Sequence, residues 1–130
     1  MINQIREFLI KRTDPVFIIV FGSFAKDKTH PKSDIDIAFY SHKTYTSYEI
    51  FLIAQELAEL LNIEVDLIDL RIASTVFQAQ IFSTGIVIYC ADETFRMEMH
   101  TRVYSMYAKL NEERTPILDQ IKERGSVYEK

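Results

Sequence analysis

Two acidic residues, Asp34 and Asp36, stand two apart where an apolar run begins. Side chains alternate between the faces of a strand, so a strand here sends both carboxylates to one face and Ile35 and Ile37 to the other. Two close carboxylates repel each other, and Mg²⁺, which takes oxygen ligands and commonly keeps substrate phosphates in its shell, relieves that repulsion. The pair therefore predicts a metal and phosphate site, although a lone Asp-x-Asp pattern is more often a solvated strand end.

Gly22 and Ser23 lie upstream of this pair and directly follow a run of β-branched and aromatic residues at 16–21. Glycine lets the backbone approach a ligand, turn amides can point at an anion, and serine adds a hydroxyl donor. Alone, the Gly-Ser pair indicates only a turn at a strand end. A strand, Gly-Ser, the polar loop at 24–33 and Asp-x-Asp on a second strand form a much rarer combination. That combination favours a metal and phosphate site, and Lys32 and Ser33, beside the aspartates, are placed for supporting phosphate contacts.

Residues 22–39, GSFAKDKTHPKSDIDIAF, resemble the GS-x10-D-x-D signature of the DNA polymerase β-like nucleotidyltransferase superfamily. Over residues 15–110 the chain also resembles the minimal nucleotidyltransferases, the antitoxin partners of HEPN-domain toxins. In that family the Gly-Ser turn contacts the triphosphate and the paired aspartates hold Mg²⁺. The resemblance therefore implies these roles for Gly22, Ser23, Asp34 and Asp36.

The resemblance also implies a third carboxylate on a nearby strand, here within EVDLIDL at residues 64–70. In an ideal strand Glu64 and Asp66 point to one face and Asp69 to the other. Asp66 matches the family position and is assigned as the third metal ligand, while a capping or turn role is expected for Asp69. The family's loop usually carries Arg-Gly where this chain has Lys26-Asp27, and lysine forms weaker contacts to phosphate than the bidentate arginine.

The function implied by the resemblance is Mg²⁺-dependent transfer of AMP from ATP to a tyrosine of a cognate HEPN toxin. Asp34, Asp36 and Asp66 are expected to act both as metal ligands and in catalysis. Two alternatives stay open: a small-molecule nucleotidyltransferase, which normally has a further substrate-binding domain, and a non-catalytic antitoxin that masks its toxin. An interface with the toxin is expected to use Tyr104 or Tyr107 on the terminal helix.

The elements that must position these residues follow from hydrophobic periodicity and from proline and glycine. The pattern predicts helices at 2–14, 50–61 and 74–83. It predicts strands at 16–21, 34–40, 63–70 and 86–89. A helical segment at about 94–127 follows, in which Thr115-Pro116 is interpreted as the start of a second helix. We expect one nucleotidyltransferase domain over residues 1–130, of the α/β (α+β) class, with a mixed sheet of about four strands covered by helices.

Composition sets further limits. The 130 residues are 48% hydrophobic, which allows one buried core, and the net charge of -4 argues mildly against direct nucleic-acid binding. The single Cys90 excludes an intramolecular disulfide, and no run of 18 apolar residues indicates a membrane span. A soluble cytoplasmic protein is expected. Isolated loop histidines such as His30 and His42, and the helix-spaced Arg96, His100 and Tyr104, are interpreted as surface residues.

Overall fold

A computed structural model of the chain describes residues 1–22 and 34–123, and the side chains of this part up to residue 112. Its helices are α1 Ile2–Thr13, α2 Ser47–Leu61, α3 Thr75–Thr84 and α4 Glu93–Glu123. Its strands are β1 Phe17–Phe21, β2 Ile35–Tyr40, β3 Val65–Asp69 and β4 Ile86–Cys90. The predicted α/β class is confirmed. None of the helices in this part of the chain is long and apolar enough to cross a membrane.

The strands form a mixed sheet in the order β3-β2-β1-β4. β1 pairs antiparallel with β2 and β4, whereas β2 pairs parallel with β3. A parallel pair needs a crossover connection, which α2 supplies. The end of β1 and the starts of β2 and β3 consequently meet at one end of the sheet, which is where the sequence places its candidate site.

Helices cover both faces of the sheet. On one face, α1 and α2 pack against the odd-numbered residues of β2, and on the other, α3 and α4 pack against β1. The first core includes Leu9, Ile37, Phe39, Ile53 and Leu57, and the second includes Phe17, Phe21, Ala38, Ile81 and Met99. Because side chains alternate along β2, Asp36 lies on the same face as Ala38, toward α3 and α4.

The ends of α1 and α2 agree with the sequence. Asp14 and Asn62 adopt the left-handed conformation, with φ of 48° and 59°, and their N–H groups donate back to the carbonyls of Ile10 and Ala58. α2 begins with a capping box, in which the Thr46 hydroxyl accepts from the Glu49 N–H and the Glu49 carboxylate accepts from the Thr46 N–H. The predicted ends at Asp14 and Asn62 are confirmed.

The predicted break at Thr115-Pro116 is wrong, because α4 runs as a single helix over Glu93–Glu123. Proline inside a helix removes one backbone hydrogen bond, but its fixed φ near −65° is itself helical. The neighbouring glutamate, arginine, leucine and glutamine residues are good helix formers. A Thr-Pro pair within such a segment is therefore compatible with a helix interior as well as with a helix start.

The capping box of α2 gives a test of the fold. Thr46→Ala should lower the free energy of unfolding by about 1 kcal/mol, because the Glu49 N–H loses its side-chain acceptor. The urea midpoint measures this change. Thr44→Ala, at an exposed threonine two residues earlier, is the matched control and should leave the midpoint unchanged. Equal midpoints for the two variants would contradict the capping role.

Candidate active site

The register of the sheet brings the main predicted residues together. Asp36 on β2 lies opposite Phe21 on β1 and opposite Asp66 on β3. Residues paired in this way share a face of the sheet, and neighbouring strands are about 4.8 Å apart. Asp34 lies immediately before β2 and is exposed, as Asp66 is, whereas Asp36 is half-buried. Asp36 is therefore the least accessible of the three carboxylates.

Gly22 packs directly against Asp36. It has a φ of +76°, and a Cβ atom added to it would overlap the Oδ2 atom of Asp36. Both the left-handed backbone and the lack of room require glycine at this position. The turn that ends β1 consequently lies in contact with the Asp36 carboxylate, so a ligand bound by its backbone would also lie beside that carboxylate.

The electrostatics of the site centre on Asp36. Its pKa is raised above the ordinary 3.8, first by burial and then by the negative charges of Asp66 and Asp34. Three carboxylates thus act on one another at the sheet end, and each added negative charge makes ionisation of Asp36 more costly. A divalent cation would offset this repulsion, so the donor set fits Mg²⁺, which prefers carboxylate and phosphate oxygens.

The neighbouring acids of β3 differ from Asp66. Asp69 is buried, and its carboxylate accepts a hydrogen bond from the Arg71 N–H in the turn after the strand. Glu64 shares the face of Asp66, but it precedes β3 and is not among the charges that shift the pKa of Asp36. Within residues 1–22 and 34–112, no three acidic, histidine or cysteine side chains are already grouped as metal ligands. The metal-binding roles of Asp34, Asp36 and Asp66 therefore stay predictions.

Several residues that the sequence singles out lie outside the described part of the chain. They are Ser23, Lys26, Asp27, His30, Lys32 and Ser33. The expected phosphate contacts of Ser23, Lys32 and Ser33 stay predictions for that reason.

An aromatic pair packs next to the Gly22 turn. Phe21, which precedes Gly22, meets Phe77 of α3 edge to face, with ring centroids 5.8 Å apart. Sequence reasoning missed Phe77 as a supporting residue. Its apolar character indicates a core position, but only the packing of α3 on β1 shows that this position lies behind the Gly22 turn.

The remaining candidates do not join this group. His42 packs against the rings of Tyr40 and Phe95, where β2 ends rather than where it starts. His100 stacks on Phe82, and Arg96 forms an ion pair with Glu93.

Tyr104 and Tyr107 line a groove of about 410 Å³ between α3 and α4, together with Val76, Ala79, Gln80 and Ser83. The expected toxin interface at these tyrosines stays a prediction.

Comparison with known proteins connects this geometry to a family. The sequence model of the polymerase beta nucleotidyltransferase family matches residues 3–94 of this chain. These residues contain Gly22 and the three aspartates of the site. This chain belongs to the polymerase beta nucleotidyltransferase family. The resemblance inferred from the sequence is thereby confirmed, and with it the enzyme class. The chain is also 37% identical over 107 residues to the protein adenylyltransferase MntA of Shewanella oneidensis, covering 80% of this chain and 74% of that protein.

Solved structures agree with this assignment. A chain in the crystal structure of a toxin-antitoxin with AMP-PNP superposes with a TM-score of 0.85 and 33% identity, covering 93% of this chain and 98% of that one. A chain in the structure of the tri-AMPylated Shewanella oneidensis HEPN toxin in complex with MNT antitoxin has a TM-score of 0.78 and 31% identity, covering 93% and 95%. The predicted nucleotidyltransferase fold is therefore confirmed.

The raised pKa of Asp36 predicts a dependence of stability on pH. The folded protein binds this proton more tightly than the unfolded chain does. Metal-free stability should therefore fall as the pH rises from 3.8 through the raised pKa, and stay level above it. Asp36→Asn removes this loss, so the variant should melt at a higher temperature than wild type at neutral pH without metal. The difference should vanish below about pH 4.

Melting curves across this pH range, recorded with a chelator, measure the effect. Glu64→Gln is the control, since Glu64 does not contribute to the shift, and it should keep the wild-type dependence on pH. An Asp36→Asn protein that melts below wild type at neutral pH would mean that the carboxylate stabilises the fold.

Proposed function

We propose that this chain is a Mg²⁺-dependent protein adenylyltransferase that transfers AMP from ATP to a tyrosine of a cognate HEPN-domain toxin. The observation that carries the proposal is the register that sets Asp66 beside Asp36, next to the Gly22 turn. The names of the relatives support the reaction and the partner, since one is a protein adenylyltransferase and another is an MNT antitoxin in complex with an AMPylated HEPN toxin. Residues 1–130 would form a single nucleotidyltransferase domain, of which α4 is the helical C-terminal part.

In this proposal Asp34, Asp36 and Asp66 hold the metal. When bound, Mg²⁺ would neutralise the charge of these carboxylates and of the triphosphate and make the acceptor hydroxyl more acidic. The half-buried Asp36 has the least access to solvent of the three, so it gains most from such neutralisation. The lack of a side chain at Gly22 leaves room for the Asp36 carboxylate against the turn. Ser23, Lys32 and Ser33 would supply donors to the oxygens of the triphosphate.

Asp66 is the residue best placed to meet the acceptor. It is exposed on β3, the outermost strand on its side of the sheet, and it shares the face of Asp36. We assign to it the orientation of the tyrosine hydroxyl and the acceptance of its proton. The hydroxyl oxygen then forms a bond to the α-phosphorus while the bond to the bridging oxygen breaks. Pyrophosphate leaves with that electron pair, and the proton passes from Asp66 to solvent.

A second candidate is a non-catalytic antitoxin that neutralises its toxin by masking it. The replacement of the family's Arg-Gly by Lys26-Asp27 favours this alternative, since it weakens the expected grip on phosphate. The influence of the Asp66 and Asp34 charges on Asp36 argues against it, because a masking protein gains nothing from repulsion between carboxylates. A small-molecule acceptor is less favoured, because two chains that match over nearly their whole length come from structures of toxin-antitoxin complexes.

Labelled ATP separates these functions. With Mg²⁺ and a purified cognate HEPN-domain toxin, wild type should add AMP to a toxin tyrosine, which mass spectrometry detects. Asp36→Asn and Asp66→Asn should each lower the rate by about 10²–10³-fold, because charge stabilisation at the reacting phosphate is lost. Glu64→Gln, on the same face and just outside the group, should stay within about threefold of wild type. A toxin that is neutralised but carries no AMP would support masking and contradict the proposal.

A further inference from the structure

The outer edge of β3 carries backbone groups that the sheet leaves free. The Ile35 N–H donates to the Glu64 carbonyl, and the Leu70 N–H donates to the Phe39 carbonyl, so the even-numbered residues of this segment face β2. Alternate residues of a strand point their backbone groups in opposite directions. The N–H and C=O groups of Val65 and Leu67 therefore point away from the sheet, on either side of Asp66.

An apolar groove of about 290 Å³ lies along this edge. Its walls come from α2, from β3, from the segment between β3 and α3, and from α3 itself, and they include Ser47, Ile50, Leu67, Asp69, Ile72 and Phe77. Ile72 is 72% exposed, the highest value among the large exposed apolar residues in the described part of the chain. Ile72 together with the apolar groove walls forms a continuous apolar surface beside the strand edge, and such a surface marks sites of interaction.

The opposite edge of the sheet differs from this one. On β4, the Arg6 guanidinium donates to the Ile88 carbonyl at 3.2 Å, and the pairing with β1 is irregular between Ile18 and Ile19. A covering side chain and a bulge are two ways in which proteins prevent pairing at a sheet edge. The β3 edge has a regular register over its full length and a groove beside it.

We propose that the β3 edge docks an extended segment of the acceptor protein as an added strand, which carries the acceptor hydroxyl to Asp66. The proposal rests on the proposed function. An extended chain is the partner whose N–H and C=O groups repeat with the spacing of those on Val65 and Leu67. The residue of that segment opposite Asp66 would share its face, with Cβ atoms about 4.5–5.5 Å apart.

The added strand also defines a sequence preference in the acceptor. Residues on either side of the hydroxyl-bearing residue would point to the other face, toward Leu67 and Ile50. Those neighbours meet apolar groove walls. The acceptor segment should therefore have an apolar residue on each side of its tyrosine. The backbone pairing would determine which tyrosine reaches Asp66.

Two isoleucines at opposite edges provide a matched test. Ile72→Glu places a charge in the groove, whereas Ile86→Glu makes the same change at the exposed β4 edge, where Ile86 is 52% exposed. With the purified toxin as acceptor, Ile72→Glu should raise the KM for toxin by about tenfold or more and leave the KM for ATP unchanged. Ile86→Glu should keep both values within about twofold of wild type. Equal toxin KM values for the two variants would overturn the docking site. AMP transfer by wild type in the same assay would still support the proposed function, so the two failures are distinguishable.

Backbone pairing itself is tested by amide hydrogen exchange. With toxin and α,β-methylene-ATP, exchange at Val65 and Leu67 should slow by about tenfold or more, because these N–H groups become hydrogen-bonded. Val65→Pro removes one of them at the first position of the strand, where proline is tolerated, and should raise the toxin KM, whereas Val65→Thr should not. Unchanged exchange at both amides would overturn strand addition. Slow exchange at these amides without toxin, together with dimerisation, would mean that a second copy of this chain occupies the edge. That result would also overturn docking of the acceptor.

Discussion

The repulsion among Asp36, Asp66 and Asp34 is the constraint on which the rest of the structure depends. Sheet hydrogen bonds fix the strands that carry Asp36 and Asp66 side by side, so the backbone positions of these two residues cannot separate without breaking the β2 to β3 register. Burial first, and then the negative charges of Asp66 and Asp34, raise the pKa of Asp36. Two apolar layers, one on each face of the sheet, supply the burial that keeps these strands in place.

Local patterns predicted most of the fold. The left-handed residues Asp14 and Asn62 end their helices where the sequence indicates. Alternation predicts that Asp34 and Asp36 share a face, although Asp34 lies just before β2. The pairing of β2 with β3 joins segments distant in sequence, and periodicity carries no information about it. The choice of Asp66 over Glu64 therefore needed the family resemblance, and the role of Phe77 needed the packing of α3.

Strand β3 connects the chemistry with recognition of the acceptor. Its inner side pairs with β2 and sets Asp66 beside Asp36, while its outer side presents the backbone of Val65 and Leu67. A protein acceptor added at that edge would be aligned with the reacting groups by the same hydrogen-bond ladder that aligns the carboxylates. Positioning of this kind contributes much of the rate acceleration in phosphoryl and nucleotidyl transfer.

The most direct test of the carboxylate group is calorimetric titration of Mg²⁺ with and without α,β-methylene-ATP. If the three aspartates form one metal and phosphate site, Mg²⁺ should bind weakly alone and more tightly with the nucleotide, because phosphate oxygens complete its ligand shell. Asp36→Asn should abolish that increase. Mg²⁺ and nucleotide binding that is the same in wild type and Asp36→Asn would contradict the account, because the repulsion at Asp36 would then have no cation to relieve it.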